Sequence, residues 1–168
     1  MENLATVIIA DNSQEFCSGL VAALQRASGF QVLGTANDGE KATRMIMQLK
    51  PEVLVLDEPA AGLDPRGRDM ILHQMCNYQK KTGATVIIVS HSMEDMAMYC
   101  DNLVVMAAGK ILMHDTCAAV FSRAEELIEV GLDVPQVTSV AFALAKHGVD
   151  IGRDVYTVDW AADKIAAF

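Results

Sequence analysis

The stretch KPEVLVLDEP, residues 50–59, decides the fold of this chain. Its centre is the apolar run VLVL at 53–56, and two acids, Asp57 and Glu58, follow directly. A short apolar run of this kind, bounded by proline and charge, predicts a strand buried on both faces of a parallel sheet. Adjacent acids that close such a strand gain nothing from packing. They therefore predict a phosphate or metal site.

Strand and helix patterns alternate on both sides of this stretch. Strands are predicted at 5–10, 31–35, 53–56, 85–89 and 102–106, and helices at 13–27, 39–49, 65–81, 92–100, 116–129 and 134–146, with a short helix after Thr157. The alternation predicts a three-layer α/β fold with a parallel sheet. The strand count indicates the flavodoxin-like order 2-1-3-4-5, with a C-terminal helical extension.

Composition narrows the functional classes. The 168 residues are 52% apolar, which predicts a globular chain, and 22 acidic against 13 basic residues give a net charge of −9. That charge argues against DNA as a partner. The apolar runs are too short to span a bilayer and the N-terminal residues lack a basic leader, so we expect a cytoplasmic protein. The four cysteines have no CxxC or Cys/His spacing and are expected to be free thiols.

The residues that end the strands form the candidate site. In a doubly wound sheet, ligands bind beyond the carboxyl ends of the strands, where Asp11, Asp57–Glu58 and Ser90–His91 are predicted to lie. Converging carboxylates suit Mg²⁺, which prefers a few carboxylate ligands and keeps several waters. Ser90 is positioned to contact a phosphoryl oxygen, and His91 to bind one or to orient a water.

Several of these residues also have a purely structural interpretation. Asp11 and Asn12 have the spacing to cap the first helix, and this role and metal binding stay equally open. Asp64 precedes Pro65, which is typical of a helix N-cap followed by proline at the first helical position. His91 followed by Ser92 is consistent with a plain turn.

The first third of the chain resembles a response-regulator receiver domain of the stage 0 sporulation type. The likeness rests on VIIADN at 7–12, the helix SQEFCSGLVAALQRAS, the segment QVLGTANDGEKA and KPEVLVLD at 50–57. It implies that Asp11 and Asp57 bind Mg²⁺, and that Asp57 accepts a phosphoryl group from a histidine kinase or phosphotransferase. Asn12 stands where the family usually has a second acid.

Residues 51–168 resemble the C-terminal part of an energy-coupling factor (ECF) ABC transporter ATP-binding subunit. The likeness rests on LVLDEPAAGLDPRGRDM at 54–70, GATVIIVSHSMEDMAMYCDNLVVMAAGKI at 83–111 and EELIEVGLDVPQVTSVAFALAKHG at 125–148. It implies a Walker B strand with Asp57 as Mg²⁺ ligand and Glu58 as general base. It also implies a D-loop aspartate, Asp64, a switch histidine, His91, and a tail that contacts another ATPase or a second copy. The membrane would be reached only through a transporter complex.

Two motifs of the second family do not occur in these 168 residues. A P-loop reads GxxxxGK[ST], and the one lysine followed by Ser or Thr, Lys81, lacks the preceding glycines. GEKATRMIMQLKPE at 39–52 stands where an LSGGQ signature would precede Walker B. Because phosphate positioning supplies most of the catalysis in phosphoryl transfer, we expect no tight ATP binding and no autonomous ATPase activity.

The two resemblances together describe a chimera. We expect a receiver-like α/β domain at 1–122, built from a receiver half (1–57) and an ATPase segment (51–122), and an ATPase-like helical tail at 123–168. Receivers carry a lysine at the end of the fifth strand, where LVVMAA at 103–108 has none. Three hypotheses stay open: an inactive ECF ATPase remnant, a phosphoacceptor switch at Asp57, and a recombinant or designed chimera with no selected activity.

Overall fold

The computed structural model describes residues 4–167. Contacts divide the chain into two compact units, which meet in sequence between His91 and Ser92. This division differs from the sequence-based boundary near residue 122, which stays a prediction. Each unit is described by itself.

The first unit is a parallel sheet with its connecting helices. It contains β1 (Ala5–Ala10), α1 (Gln14–Ala27), β2 (Phe30–Ala36), α2 (Gly39–Leu49), β3 (Val53–Asp57), α3 (Pro65–Thr82) and β4 (Thr85–Val89). The strands are all parallel and lie in the order β2-β1-β3-β4. This arrangement confirms the predicted α/β class and the first four positions of the predicted strand order.

Apolar side chains cover both faces of this sheet, as expected for a strand such as VLVL that has no polar alternation. On one face, Val7 and Ile9 pack with Cys17 of α1. On the other, Ile8, Leu54 and Leu56 pack with side chains of α2 and α3, namely Met45, Ile46, Met75 and Tyr78. The sheet therefore forms the middle of three layers.

Short polar side chains begin each helix of the first unit. Ser13, Asp38 and Asp64 are the N-caps of α1, α2 and α3, and each accepts a hydrogen bond from a backbone N–H in the first turn. The sequence had indicated Asp11 and Asn12 for the first cap, which lies one residue further on, at Ser13. Ser13 takes this position because its side-chain oxygen reaches a free N–H group of the first turn.

The second unit begins with a short helix and a β-hairpin, followed by helices. It contains α4 (Met93–Tyr99), β5 (Asn102–Ala107), β6 (Lys110–Thr116), α5 (Cys117–Phe121), α6 (Ala124–Glu129), α7 (Gln136–Lys146) and α8 (Val158–Ala166). The helix predicted at 116–129 is thus two short helices. The C-terminal helical extension has the form that the sequence predicted.

The fifth strand does not take the predicted place in the parallel sheet. Among residues 4–167, β5 pairs antiparallel with β6, a strand that the sequence analysis missed. Ala108 and Gly109 connect them with φ of 48° and 72°. Two successive residues with positive φ make the tight turn that matches the twist of a hairpin. A tight local turn therefore joins β5 directly to β6.

The tail has a small core of its own. Ala141, Ile151, Val155 and Ala161 are buried together, and the fully buried Thr138 hydroxyl donates a hydrogen bond to the Val155 carbonyl at 2.9 Å. This bond satisfies a polar group that would be costly to bury alone. No helix within residues 4–167 is long and apolar enough to cross a membrane.

Candidate functional site

The predicted site residues lie where the strands of the parallel sheet end. Asp11 follows β1, Asp57 is the last residue of β3, and Ser90 and His91 follow β4. Asp57 is in register with Val89, the last residue of β4. Parallel strands place their carboxyl ends at one edge, so side chains from three strands converge there.

Glu58 is held by the end of the neighbouring strand. Its backbone N–H donates to the carbonyl of Val89 at 2.8 Å. Its carboxylate accepts hydrogen bonds from the Ser90 hydroxyl at 3.2 Å and the His91 backbone N–H at 3.0 Å, and His91 Nδ1 lies 2.6 Å from Glu58 Oε1. The φ of Glu58 is 43°, which is unfavourable for a residue with a Cβ. Three hydrogen bonds to one carboxylate offset that cost.

The same contacts control the ionisation of Glu58. Partial burial pushes its pKa upward, but the hydrogen bonds from the His91 ring, the His91 N–H and the Ser90 hydroxyl outweigh burial, so the pKa is lowered. The Glu58 side chain is 31% exposed, whereas that of His91 is 89% exposed. Glu58 is therefore a carboxylate at neutral pH, with a histidine beside it that solvent can reach.

Asp57 has the opposite environment. Its pKa is raised, first by burial, then by the negative charges of Asp11 and Glu58, and by a hydrogen bond with the Asp11 side chain. Asp11 is only 6% exposed, and its Oδ1 accepts the Ser13 backbone N–H at 2.6 Å. Two nearby carboxyl groups disfavour double ionisation, because like charges repel.

The contact between Asp11 and Asp57 fits either a shared proton or a bound cation. Oxygen ligands from one or two carboxylates are what Mg²⁺ takes from a protein when substrate phosphates and waters complete its shell. The donor set therefore fits the predicted metal. Within the described part of the chain no cluster of three or more His, Cys, Asp or Glu side chains could hold a metal by itself.

The structure separates the predicted site residues by their partners. Ser90 and His91 both contact Glu58, while Asp11 lies near enough to Asp57 to raise the pKa of Asp57. The exposed Asp64 caps α3, and its Oδ1 accepts the Gly67 N–H at 2.7 Å. The phosphate-contacting, catalytic and D-loop roles stay predictions.

Ser13 is a site residue that the sequence analysis missed. Its N–H fixes the Asp11 carboxylate, and its hydroxyl accepts the Phe16 N–H to cap α1. An aspartate that accepts the N–H two residues later forms a common local turn. The pattern Asp11-Asn12-Ser13 carries this signal. Asp11 is thus a turn residue near Asp57, while Ser13 takes the capping role that the sequence indicated for Asp11 and Asn12. Metal binding by Asp11 stays a prediction.

Curated proteins with related sequences include energy-coupling factor transporter ATP-binding proteins. An energy-coupling factor transporter ATP-binding protein EcfA2 of Caldanaerobacter subterraneus is 40% identical over 153 residues, covering 89% of this chain and 52% of the relative. The EcfA2 protein of Clostridium perfringens is 42% identical over 120 residues, which cover 71% of this chain and 42% of that relative. The chain spans about half the length of the first relative and less of the second.

These matches confirm the coarser part of the second resemblance. Over about 70% of its length the chain is homologous to energy-coupling factor transporter ATP-binding proteins. No protein-family model matches the chain.

Two solved structures superpose loosely. CbiO1 of Clostridium perfringens, part of the ABC transporter complex cbiONQ, is 36% identical in sequence, with a TM-score of 0.44. The superposition covers 60% of this chain and 39% of the CbiO1 chain. The RcsB response regulator of Salmonella typhimurium is 15% identical in sequence, with a TM-score of 0.42. The superposition covers 99% of this chain and 69% of the RcsB chain.

Proposed function

We propose that the chain carries the Walker B to switch-histidine segment and the helical tail of an ECF-type ATP-binding subunit, joined to half of a receiver domain. It has no autonomous ATPase activity and acts only with a complete ATP-binding subunit. The observation that carries this proposal is the 2.6 Å contact between Glu58 and His91, the predicted general base and switch histidine. The homology over about 70% of the chain supports it.

The chemistry assigned to each residue follows from its surroundings. Glu58 has a lowered pKa and so stays unprotonated, as a general base must. His91 is exposed and lies beside it, in reach of a phosphate that enters from solvent. Asp57 and Asp11 are the residues that would hold Mg²⁺, and the ion would neutralise charge on a phosphoryl group. Asp64 would face the partner ATPase in the D-loop, and the tail would contact it.

Titration calorimetry with Mg-ATP tests the lack of autonomous nucleotide binding. We expect the chain alone to bind with a dissociation constant of about 1 mM or weaker, because no P-loop cradles the phosphates. Micromolar binding that is lost in Glu58→Gln or Asp57→Asn would contradict the proposal.

Mixing with a complete ECF ATP-binding subunit tests the association. Analytical ultracentrifugation should show a complex between the two chains. ATP turnover of that complex should fall about tenfold or more with Glu58→Gln, since removing a positioned base costs this much or more. Glu52→Gln, which changes an acid at the other end of the same strand, is the matched control and should leave turnover unchanged. Absence of a complex at high micromolar concentration would rule out action through a partner.

The placement of Asp11 and Asp57 at the carboxyl ends of the neighbouring strands β1 and β3 favours a second candidate, a phosphoacceptor switch at Asp57. A carboxylate oxygen of Asp57 would attack the phosphorus of a phosphodonor, the bond from phosphorus to the donor would break, and an acyl phosphate would form. A histidine kinase or phosphotransferase would be the physiological donor. The Ser90 hydroxyl lies at the same strand edge.

Intact-mass measurement with acetyl phosphate and Mg²⁺ tests this candidate. The wild type and Glu52→Gln should gain one phosphoryl group, and Asp57→Asn should gain none. Equal modification of Asp57→Asn, or no modification of the wild type, would remove it. If both this test and the association test fail, a recombinant chain without selected activity is the remaining hypothesis.

A further inference from the structure

Two cysteines lie at the open end of the β5–β6 hairpin. Cys100 is the C-cap residue that follows α4, one residue, Asp101, separates it from β5, and Cys117 directly follows β6 as the first residue of α5. The outermost pair of the hairpin is Asn102 with Thr116. Because neighbouring strands lie about 5 Å apart, this pairing brings the two cysteine-bearing segments together.

The contacts of the two sulfur atoms show how close they are. Cys117 Sγ lies 2.9 Å from the backbone carbonyl oxygen of Cys100. Both sulfurs also contact Met96: Cys100 Sγ is 3.7 Å from its Sδ, and Cys117 Sγ is 3.6 Å from its carbonyl oxygen. The Cys117 sulfur therefore lies directly against the backbone of Cys100. A disulfide needs Cα atoms within about 7 Å, and this contact favours that separation.

We propose that Cys100 and Cys117 form an intramolecular disulfide when the reduced chain meets a low-molecular-weight disulfide such as oxidised glutathione. This site is independent of the acids at the sheet edge and of the proposed function. It lies entirely within the second unit.

The exchange balances in two steps. The Cys100 thiolate attacks one sulfur of oxidised glutathione, forms a mixed disulfide and releases one glutathione thiolate. The Cys117 thiolate then attacks Cys100 Sγ and expels the second glutathione thiolate. The two cysteines lose two electrons, the glutathione disulfide gains them, and the two protons are taken up by the released thiolates or by solvent.

The different exposure of the two thiols sets this order. Cys100 is half-buried, whereas Cys117 is 2% exposed. Burial, followed by the nearby charge of Asp101, raises the pKa of Cys117. A buried thiol with a raised pKa reacts slowly with a reagent in solution. Cys100 is therefore the point of attack, and Cys117 resolves the mixed disulfide.

The bond would close a loop of sixteen residues, 101–116, which contains the whole hairpin. Closing a loop removes conformational freedom from the unfolded chain. The oxidised chain should therefore unfold at a higher denaturant concentration than the reduced chain, in proportion to the linked fraction.

Peptide mapping of the full chain tests the proposal. The reduced protein is incubated with oxidised glutathione, acid-quenched, alkylated with N-ethylmaleimide and digested with trypsin. Cleavage after lysine and arginine places each cysteine in its own peptide: 1–26, 69–80, 82–110 and 111–123. We expect the last two to be joined and two hydrogen atoms lighter than their sum, with about tenfold excess over any other pair.

The same reaction in concentrated guanidinium chloride is the control for structure. Loop-closure entropy depends only weakly on loop length, so the unfolded chain should join Cys76 to Cys100 about as often as Cys100 to Cys117. Cys76→Ser should keep the native linkage, and Cys100→Ser should lose it. Equal pairing in the native protein, glutathione adducts without linkage, or a linked dimer by intact mass would overturn the proposal. The wild-type result decides the question even if a variant fails to fold.

Discussion

Both ends of β3 have an acid, but in opposite environments. At the amino end, Glu52 Oε2 accepts hydrogen bonds from the Thr6 N–H at 2.9 Å and the Thr6 hydroxyl at 3.3 Å, and the Glu52 N–H lies 3.0 Å from Thr6 Oγ1. At the carboxyl end, Asp57 lies against Asp11 and beside Glu58, and its pKa is raised by burial and by their charges. Glu52 therefore links β3 to Thr6 of β1, whereas the negative charges of Asp11 and Glu58 repel the charge of Asp57.

This difference separates a structural acid, Glu52, from a candidate site residue, Asp57, five positions further along the sequence. A carboxylate that receives N–H and O–H donors lowers the free energy of the fold. A carboxylate that lies next to another carboxylate raises the free energy of the fold until a proton or a cation binds there. Groups whose pKa is perturbed in this way concentrate at functional sites. Changing the two ends of β3 in matched ways therefore tests the assignment of the site.

The largest effect is expected at the amino end. Thr6→Val removes a hydroxyl that takes part in two hydrogen bonds with Glu52 and should lower the free energy of unfolding by about 2 kcal/mol. Guanidinium denaturation followed by circular dichroism measures it. Thr6→Ser keeps the hydroxyl and should restore most of the loss. An unchanged midpoint for Thr6→Val would show that the amino-end acid is not structural.

The same acid-to-amide change should have opposite signs at the two ends. Glu52→Gln weakens a charge-assisted acceptor and should cost about 1 kcal/mol. Asp57→Asn removes the repulsion from Asp11 and Glu58. It should raise the free energy of unfolding by about 1 kcal/mol at pH 8 without Mg²⁺. Denaturation of both variants and the wild type in one buffer checks the signs. If both variants change the free energy of unfolding in the same direction, the contrast between Glu52 and Asp57 is wrong.

The gain from Asp57→Asn should depend on pH. The folded-state pKa of Asp57 is raised, so the wild type loses stability as pH rises through that pKa, and the gain from the amide is largest above it. The gain should disappear below the ordinary aspartate range, where Asp57 is protonated in both states. Glu58 acts in the other direction, because its lowered pKa stabilises the fold at higher pH and this stability is lost as pH falls through the folded pKa.

Denaturation midpoints across acidic and neutral pH, for wild type and Asp57→Asn, separate the two contributions. A gain that does not change with pH would show that the Asp57 charge is not its source.

The smallest effect is expected at His91. Because its side chain is 89% exposed, His91→Ala should change stability by about 0.5 kcal/mol or less. It should raise the pKa of Glu58 toward the ordinary value, since the ring is the strongest hydrogen-bonding group that lowers it. Carbon-13 titration of the Glu58 carboxyl measures the shift. The backbone N–H of residue 91 is kept in this variant, so a pKa that does not move would assign the lowering to Ser90 and the backbone alone.

Much of the first unit could be predicted from local patterns. β1, β3 and β4 each contain an unbroken apolar run, at 7–10, 53–56 and 86–89, and Asp64 with Pro65 marks the start of α3 without any tertiary information. The convergence of Asp11, Asp57 and Ser90–His91 follows from the rule that parallel strands end at one edge. The sequence could not show which acids would touch, because side-chain pairing depends on how the two turns after the strands are shaped.

The second unit was harder to predict because local and long-range pairing compete there. β5 has the composition of a central parallel strand, but the positive-φ pair Ala108–Gly109 allows it to pair with β6, a few residues away. A hairpin closes a shorter loop than a crossover and so loses less chain entropy. The glycine after Ala108, followed by the apolar residues 111–113, was the signal for this hairpin.

The sequence by itself determined the α/β class, the strand order of the first four strands, and the set of polar residues at the carboxyl edge, because these depend on periodicity and chain connection. Only the tertiary structure decided that Glu58 pairs with His91 and Ser90 while Asp57 faces Asp11. It also decided that Cys100 and Cys117 meet across the hairpin. Those pairings depend on register and turn geometry, which place residues 17 to 33 positions apart within hydrogen-bond distance.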